Sequence, residues 1–463
     1  MNPLSILQIA ELSGAKLEQG DGKISIERIS TDSRTIKKGE LFVALRGENF
    51  DGHKFVESTA KTGAGAIVDP KWNGKVPAKF AIIRAEDTLI AYQNLAANYR
   101  KSLPIKVLAI TGSNGKTSTK DFAASVLGRK FRVNKTQGNF NNHVGLPRTI
   151  LEATSKDEVA VWEIGMNHPG EVAPLAKIAA PNAAIITNVG VAHIEFMGTR
   201  EAIAKEKGAL AEAVTAEGSV ILNADDPFSK GIAERTRAHV ILAGTKEGTI
   251  RAIDIQQSSD GSEFTIIEGA HRCRAQLPVP GLHMVQNALL AVAAGRAFGL
   301  SLEEAAAGLA SAPLTKARLQ IKEINGVQFL DDSYNANPDS MKAALQTLVE
   351  LDTDGKKIAV LGEMRELGTE TERGHEEVGE AAAAFGIDHL IGIGEMGAVI
   401  SRAAEKAGLE KSSVVGSTAE AAELLLEIAA PGDLILIKGS RLARTEDVIE
   451  AFAKQSSPES ARV

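Results

Sequence analysis

The residues with the clearest chemistry lie in VLAITGSNGKTSTKDF, residues 107–122. An apolar strand runs into a glycine-bearing turn and then a polar helix start, the arrangement that aims backbone N–H groups at a phosphate. Gly112 and Gly115 can take the backbone angles such a nest needs. Lys116 can reach β- and γ-phosphates, and Thr117 can offer a hydroxyl to Mg²⁺. The strict spacing G-x-x-x-x-G-K-[ST] would put glycine at position 110, where the chain has Ile110. That departure argues against an ordinary GTPase loop. So does NKTQ at residues 134–137, where a guanine-reading N-K-x-D would need aspartate.

A phosphate loop that uses a metal needs ligands opposite it. VAVWEIGMNHPGE ends an apolar strand at Glu163, and NVGVAHIEFMG places His193 beyond the next one. Both fall at the carboxyl edge of a sheet, where such folds bind ligands. Alone, either reads equally as a satisfied polar residue; with the loop, they point to a Mg²⁺-nucleotide. TREAIAKEKGALAEAV carries Lys205 and Lys207. Lysine can add CO₂ to become a carboxylate-like carbamate, yet from sequence alone both read as a solvated helix face. His375, among the glutamates of ERGHEEVG, likewise reads as a helix surface and not a metal site. GIGEMGAV has the wrong spacing for a dinucleotide loop, and Cys273, in the alternating AHRCRAQLPV, reads as a strand residue instead of a nucleophile.

The elements that must position these groups come in three textures. At 463 residues the chain is too long for one core, and its length favours about three domains. Residues 1–103 mix short strands with Gly-rich turns and close on the helix TLIAYQNLAANYRKS before Pro104. In residues 104–312, IKVLAIT, EVAVWEIG, NAAIITNVG and GSVILNAD are near-continuous apolar runs separated by helical segments, the mark of a parallel sheet covered on both faces. TIRAIDIQ, SEFTIIEG and HRCRAQLPV alternate, which predicts antiparallel strands appended to that sheet. An Ala-rich helix over about residues 285–298 and another from Leu302 follow. Residues 313–463 open with a hairpin, RLQIKEI and VQFLDDS around Asn325-Gly326. The strands KKIAVLG, HLIGIG and DLILIKG then alternate with helices in the doubly wound manner. The expected class is α/β in three domains: a small α/β N-terminal domain, a central P-loop domain with a parallel sheet, and a Rossmann-like C-terminal domain. A polar tail from about Gln455 is expected to fray.

The bulk properties narrow the partners. Net charge is −7 and the pI about 5.8, so no basic surface exists to hold nucleic acid. Cys273 is the sole cysteine, which excludes an intrachain disulfide. MNPLSILQIAELSG lacks a basic lead and reads as a short amphipathic helix, not a signal peptide. No apolar run approaches the roughly 20 residues that span a bilayer. The cytoplasm is the expected compartment, with no membrane insertion.

In order along the chain, TGSNGKTS, the strand-end Glu163, NVGVAHIEFMG, GLHMVQNALLAVAAG, DDSYNANPDSM and IKGSR make this sequence resemble the Mur ligases. These are ATP-dependent amide ligases of peptidoglycan precursors that share ancestry with folylpolyglutamate synthase and cyanophycin synthetase. Their phosphate loop also lacks the first glycine, so Ile110 fits. The resemblance spans nearly the whole chain and its three-domain division. STDSRTIKKGELFVALRGENFDGHKF, QGNFNNHVGLP and, most specifically, DDSYNANPDSM with VLGEMRELG and IKGSR resemble the members that join D-alanyl-D-alanine to UDP-N-acetylmuramoyl-tripeptide. A related Mur-type or folylpolyglutamate-type ligase adding a single amino acid is the alternative. The D-N-P-R signature of many diaminopimelate-adding ligases is absent.

Carried over by position, the resemblance implies that Lys116 and Thr117 bind ATP phosphates and Mg²⁺, with Thr111, Gly112, Ser113, Asn114, Gly115 and Ser118 completing the loop. Glu163 and His193 correspond to metal ligands, and Lys207, in preference to Lys205, to a carbamylated lysine. Lys116, Lys207 and His193 would carry the catalytic roles. Asn287 and Arg318 correspond to ATP contacts, and Asp332 to an aspartate near the ribose, with Tyr334, Asn335 and Asn337 in the same loop. Thr31, Asp32, Ser33 and Arg34 correspond to the uridine-nucleotide site, and Asn141 and Asn142 to muramoyl-peptide contacts. Lys438, Ser440 and Arg441 would face substrate anions once the third domain closes over the second. Where the family usually reads H-N-x-x-N, this chain has HMVQN: Asn287 is kept, Met284 replaces a polar residue, and the role of His283 stays open. The resemblance also implies a monomer.

Overall fold

Three large sheets, each built from one contiguous stretch of chain, follow from the three textures of the sequence, with two further two-stranded pairs in the N-terminal stretch. The computed structural model describes residues 1–313 and 315–456, so most of the polar tail lies outside the described residues. In the N-terminal sheet the order is Lys16–Gln19, Ala81–Arg84, Gly65–Val68, Leu41–Val43, Ile29–Ser30, parallel except for the first strand. The expected first helix is Ile6–Ser13, started by a capping box between Ser5 and Gln8. Helix Thr88–Ser102 starts where the Asp87 side chain accepts the N–H groups of Leu89 and Ile90. Its apolar residues recur every three to four positions, so Tyr92, Leu95 and Tyr99 share one buried face. That face joins a cluster containing Leu146, Ile150 and Trp162, which welds the first domain to the second.

The central sheet has nine strands. Val133–Lys135, Val159–Glu163, Lys106–Thr111, Ala183–Ile186, Ser219–Asn223 and His239–Gly244 run parallel in that order, and Ile250–Ser258 continues the sense. Gly261–Glu268 and His271–Leu277 then add antiparallel edges, as their alternation predicts. Two strands were not anticipated: the three-residue Val133–Lys135, too short and polar to signal itself, and His239–Gly244, which carries the same apolar pattern as its neighbours. The Ala-rich helix begins at Leu282, because Gly281 at φ 107° turns the chain into it earlier than the sequence suggests.

The third sheet runs Gln320–Ile324, Val327–Asp331, Leu434–Lys438, Lys357–Leu361, His389–Ile393, Ser412–Val415. The first pair is the expected antiparallel hairpin, turned by Asn325 and Gly326 at φ 52° and 80°; the other pairings are parallel. Asn-Gly does this because both positions demand positive φ. Among the described residues no helix is long and apolar enough to cross a membrane. The second and third sheets both bring the carboxyl ends of parallel strands to one cleft, where Glu163 stands at the end of one strand and Asp332 and Ser440 just beyond two others.

Candidate functional site

The phosphate loop grows out of the strand Lys106–Thr111, in which Ile110 is fully buried and pairs with Glu163 of the neighbouring strand. At Gly112, φ is 153° and a Cβ would lie 1.8 Å from Thr187 Oγ1; at Gly115, φ is 78° and a Cβ would lie 2.4 Å from Asn287 Oδ1. Neither position admits a side chain, and the helix Lys116–Leu127 springs directly from Gly115. Lys116 Nζ donates to the carbonyls of Gly112 at 2.7 Å and Ser113 at 3.2 Å. Burial pushes its pKa down. The loop is tied to the segment after the next strand: Asn114 N–H donates to Asn188 Oδ1 at 2.8 Å and Gly190 N–H to Ser113 Oγ at 2.9 Å.

Glu163, 2% exposed, accepts from Thr117 Oγ1 at 3.1 Å and from Asn141 Nδ2 at 2.8 Å. Arg318 brings Nη2 to 3.4 Å from Thr117 Oγ1 and lays its guanidinium over the Tyr334 ring at 4.3 Å. His193, at φ 61°, meets the Glu366 carboxylate through Nδ1, and this contact holds the Glu366 carboxyl below its usual range. Lys207 overturns its reading as a solvated helix residue: it is 1% exposed, whereas Lys205 is exposed. Burial, then the charge of nearby Lys116, pushes the Lys207 pKa well down against the weaker opposing pull of Glu206.

One cleft of about 850 Å³ gathers most of the expected residues. Ser113 to Ser118, Asn141, Asn142, Glu163, His193, Asn287, Arg318, Asp332, Tyr334, Asn335, Asn337, Lys438, Ser440 and Arg441 all line it. Thr111, Gly112 and Lys207 are not on its wall. Thr31, Asp32, Ser33 and Arg34 lie apart, beyond the strand Ile29–Ser30, where Arg34 forks onto Asp32 and holds that carboxyl down to about 2.

Several side chains are engaged in ways their residue type does not announce. Lys438, 2% exposed, gives its ammonium to the Asp332 carboxylate and to the carbonyls of Asn335 at 3.0 Å and Asp332 at 3.4 Å. Asn142 Oδ1 accepts the N–H groups of Val144 and Gly145 at 3.1 and 2.9 Å, starting the next helix. His283, packed against Gly281, is pushed down to about 4 by burial and so is neutral. His375 is not on a helix surface: it is fully buried, Nε2 accepts the Met364 N–H at 2.8 Å, and Nδ1 donates to the Thr371 carbonyl at 2.6 Å. Asn188, Asp339 and Glu366 lie inside NVGVAHIEFMG, DDSYNANPDSM and VLGEMRELG but were not singled out; folding sets them on the cleft. There Asn337 Nδ2 donates to Asn114 Oδ1 at 2.7 Å, and Val191 N–H to Asp339 at 3.1 Å.

Comparison with known proteins matches this arrangement along its whole length. The family models described as Mur ligase family, catalytic domain; Mur ligase middle domain; and Mur ligase, glutamate ligase domain match residues 25–100, 110–295 and 317–441. The UDP-N-acetylmuramoyl-tripeptide–D-alanyl-D-alanine ligase of Bacillus subtilis (strain 168) is 40% identical over 92% of this chain and 93% of its own. Among solved structures, MurF from Acinetobacter baumannii superposes with a TM-score of 0.90 at 31% identity, covering 98% of this chain and 99% of that one. MurF ligase from Thermotoga maritima in complex with ADP superposes at 0.83 and 29% identity, covering 92% and 97%.

Proposed function

The chain belongs to the Mur ligase family, and from that premise we propose that it joins D-alanyl-D-alanine to UDP-N-acetylmuramoyl-tripeptide at the expense of ATP. The products are UDP-N-acetylmuramoyl-pentapeptide, ADP and phosphate, a step in making peptidoglycan precursors. The observation that carries this reading is the single cleft in which the phosphate loop and Glu163 of one sheet face Asp332 and Arg441 of another.

A carboxylate cannot become an amide without losing an oxygen. The tripeptide's terminal carboxylate attacks the γ-phosphorus of ATP, ADP leaves, and an acyl phosphate results. The amine of D-alanyl-D-alanine then attacks the acyl carbon, phosphate departs, and the surplus amine proton is released. Charge spreads over the transferring phosphoryl oxygens, and Lys116 with the N–H groups at the helix start is placed to stabilise it. Asn287 and Arg318 would hold the nucleotide, and Asp332, held by Lys438, would bind the ribose, with Tyr334, Asn335 and Asn337 in the same loop.

The donor set suits Mg²⁺. Thr117 offers a hydroxyl, Glu163 a carboxylate and His193 an imidazole, while the described residues contain no group of three His, Cys, Asp or Glu that could hold a metal alone. Mg²⁺ favours such partial sites because it keeps waters and phosphate oxygens in its shell. When bound, it offsets the negative charge of the phosphates. Lys207 fits carbamylation because its amine is driven toward the neutral form, the one that adds CO₂, and a carbamate would set a negative charge beside Lys116. A ¹³C carbamate resonance from protein equilibrated with ¹³CO₂, lost in Lys207→Ala, tests this; its absence in the native chain removes the assignment.

On this reading residues 1–103 hold the UDP end through Thr31, Asp32, Ser33 and Arg34, residues 104–312 hold the ATP, and residues 313–463 receive the dipeptide through Ser440 and Arg441. Asn141 and Asn142 border the muramoyl peptide while orienting Glu163 and the following helix. Dependence on ATP fits the cytoplasm, and one chain carrying every site residue fits a monomer. The experiment is phosphate release with UDP-N-acetylmuramoyl-tripeptide plus D-alanyl-D-alanine, set against UDP-N-acetylmuramoyl-dipeptide plus single amino acids. Turnover is expected with the first pair only; preference for the second overturns the reading.

A further inference from the structure

His193 and Glu366 meet across the cleft, and both take backbone angles that side-chain-bearing residues seldom adopt, φ 61° and 62°. Such conformations persist where surrounding contacts over-determine them, and they gather at functional sites. The contacts here do that from both sides. Glu195 N–H donates to the Glu366 carbonyl at 3.3 Å, and Gly368 packs so closely that a Cβ would lie 3.1 Å from the Glu195 side chain. Within the third domain, buried His375 accepts the Met364 N–H at 2.8 Å, and Ser440 N–H donates to the Glu363 carbonyl at 2.9 Å. The loop bearing Glu366 is anchored on either side of that residue, and its carboxylate is delivered to one imidazole nitrogen.

An imidazole binds a metal through a ring-nitrogen lone pair, and the hydrogen bond made by the other nitrogen decides which one keeps it. With the Nδ1 proton given to Glu366, Nε2 keeps the lone pair. We propose that Glu366 is the positioning residue of His193, fixing its tautomer and ring orientation from the third domain. The metal-facing imidazole is then set only when the third domain is docked on the second. The nearby contacts of Asn337 with Asn114 and of Asp339 with Val191 act in the same sense, since they bring the same domain onto the phosphate loop and the His193 loop. The inference rests on the reading of His193 as a metal ligand.

Mn²⁺ serves as the probe, titrated into the full chain with saturating ADP and followed by the electron paramagnetic resonance of the free ion, so no turnover is needed. Glu366→Ala and Glu366→Gly are both expected to weaken Mn²⁺ binding by about 10-fold or more. The glycine variant takes φ near 62° without strain and so separates the carboxylate from the backbone. Glu366→Gln, whose amide oxygen still accepts, is expected to keep most of the affinity. In a His193→Ala background, Glu366→Ala should add nothing, as two residues acting through one contact are not additive. Native affinity in both Glu366→Ala and Glu366→Gly, with His193→Ala weakened, overturns the proposal. A loss in the alanine variant alone also overturns it, by assigning the effect to backbone strain. If His193→Ala binds Mn²⁺ as the native chain does, the metal reading of His193 fails, and this inference falls with it.

Discussion

The central domain meets its two neighbours through seams of different chemistry. Toward the first domain, the face of helix Thr88–Ser102 is continuous with a core containing Leu146, Ile150 and Trp162. Its polar groups end on backbone carbonyls: Tyr99 Oη donates to Ala153 at 2.8 Å, and Arg100 reaches Ala179 at 3.1 Å and Ala180 at 3.3 Å. None of those partners lies on the cleft. Toward the third domain apolar contact continues past Leu319, and although Gln257 bonds Glu350 and Thr315 bonds Asp121 away from the cleft, Asn114, the Val191 N–H and His193 each meet a third-domain side chain at it. Gln93 of that first-domain helix does reach the cleft wall, donating to the His143 carbonyl at 3.1 Å, but the rest of the first seam is a mount set away from the cleft. The second is built from residues on or beside the cleft, so under the proposed function docking and binding are coupled there.

This contrast can be broken or sharpened in order of expected effect. Lys116→Ala should lower phosphate release about 10³-fold or more while leaving the unfolding midpoint almost unchanged. Turnover within tenfold of native would remove the loop from the site. Tyr99→Ala, in the first seam, should cost about 3–5 kcal/mol in denaturant unfolding, since it removes a buried ring. ADP affinity measured on the folded protein should stay constant, and a parallel loss of ADP binding would show that the mount is not independent.

A pH titration of stability probes the second seam. His283 has a folded pKa of about 4 against an ordinary value of 6.5, so it is neutral when folded and gains a proton on unfolding between those values. Its contribution is present above about pH 6.5 and is lost as pH falls toward 4, by at most about 1.4 kcal/mol per pH unit. His283→Gln should flatten that slope, and an unchanged slope would assign the acid sensitivity elsewhere. Smallest is Asn337→Ser, which keeps a side-chain cap for the Ser340 N–H but removes the amide that donates to Asn114. It should cost about 1 kcal/mol, seen as a roughly fivefold weaker ADP affinity with little change in unfolding. Weakening of stability alone would make this contact part of a mount as well.

The legible parts of the molecule were those whose physics is local. Gly112 and Gly115 announce a phosphate turn because only glycine tolerates their backbone angles, and Asn325-Gly326 announces a hairpin for the same reason. Strand-end Glu163 was legible because an apolar run dates its own end. Lys207 and His375 were misread as surface residues because burial is a property of the packed whole. A lysine in a polar helix and a histidine among glutamates look solvated until neighbouring elements cover them. Lys438, expected near substrate anions from its place at the end of the strand DLILIK, lines the cleft, and only the structure shows its ammonium given to Asp332 and two carbonyls.

The amino-acid sequence by itself determined the phosphate loop and the class of sheet in each stretch, since each rests on neighbours within a few positions, while the reaction was implied by the resemblance of motifs spread along the chain. Tertiary structure alone decided that Glu366 meets His193 across 173 residues, that Asn337 caps its helix while holding Asn114, and that Lys207 is buried where desolvation and the charge of Lys116 press its pKa down. Those outcomes depend on which strand ends share an edge and what solvent is excluded there, and no short-range pattern encodes either.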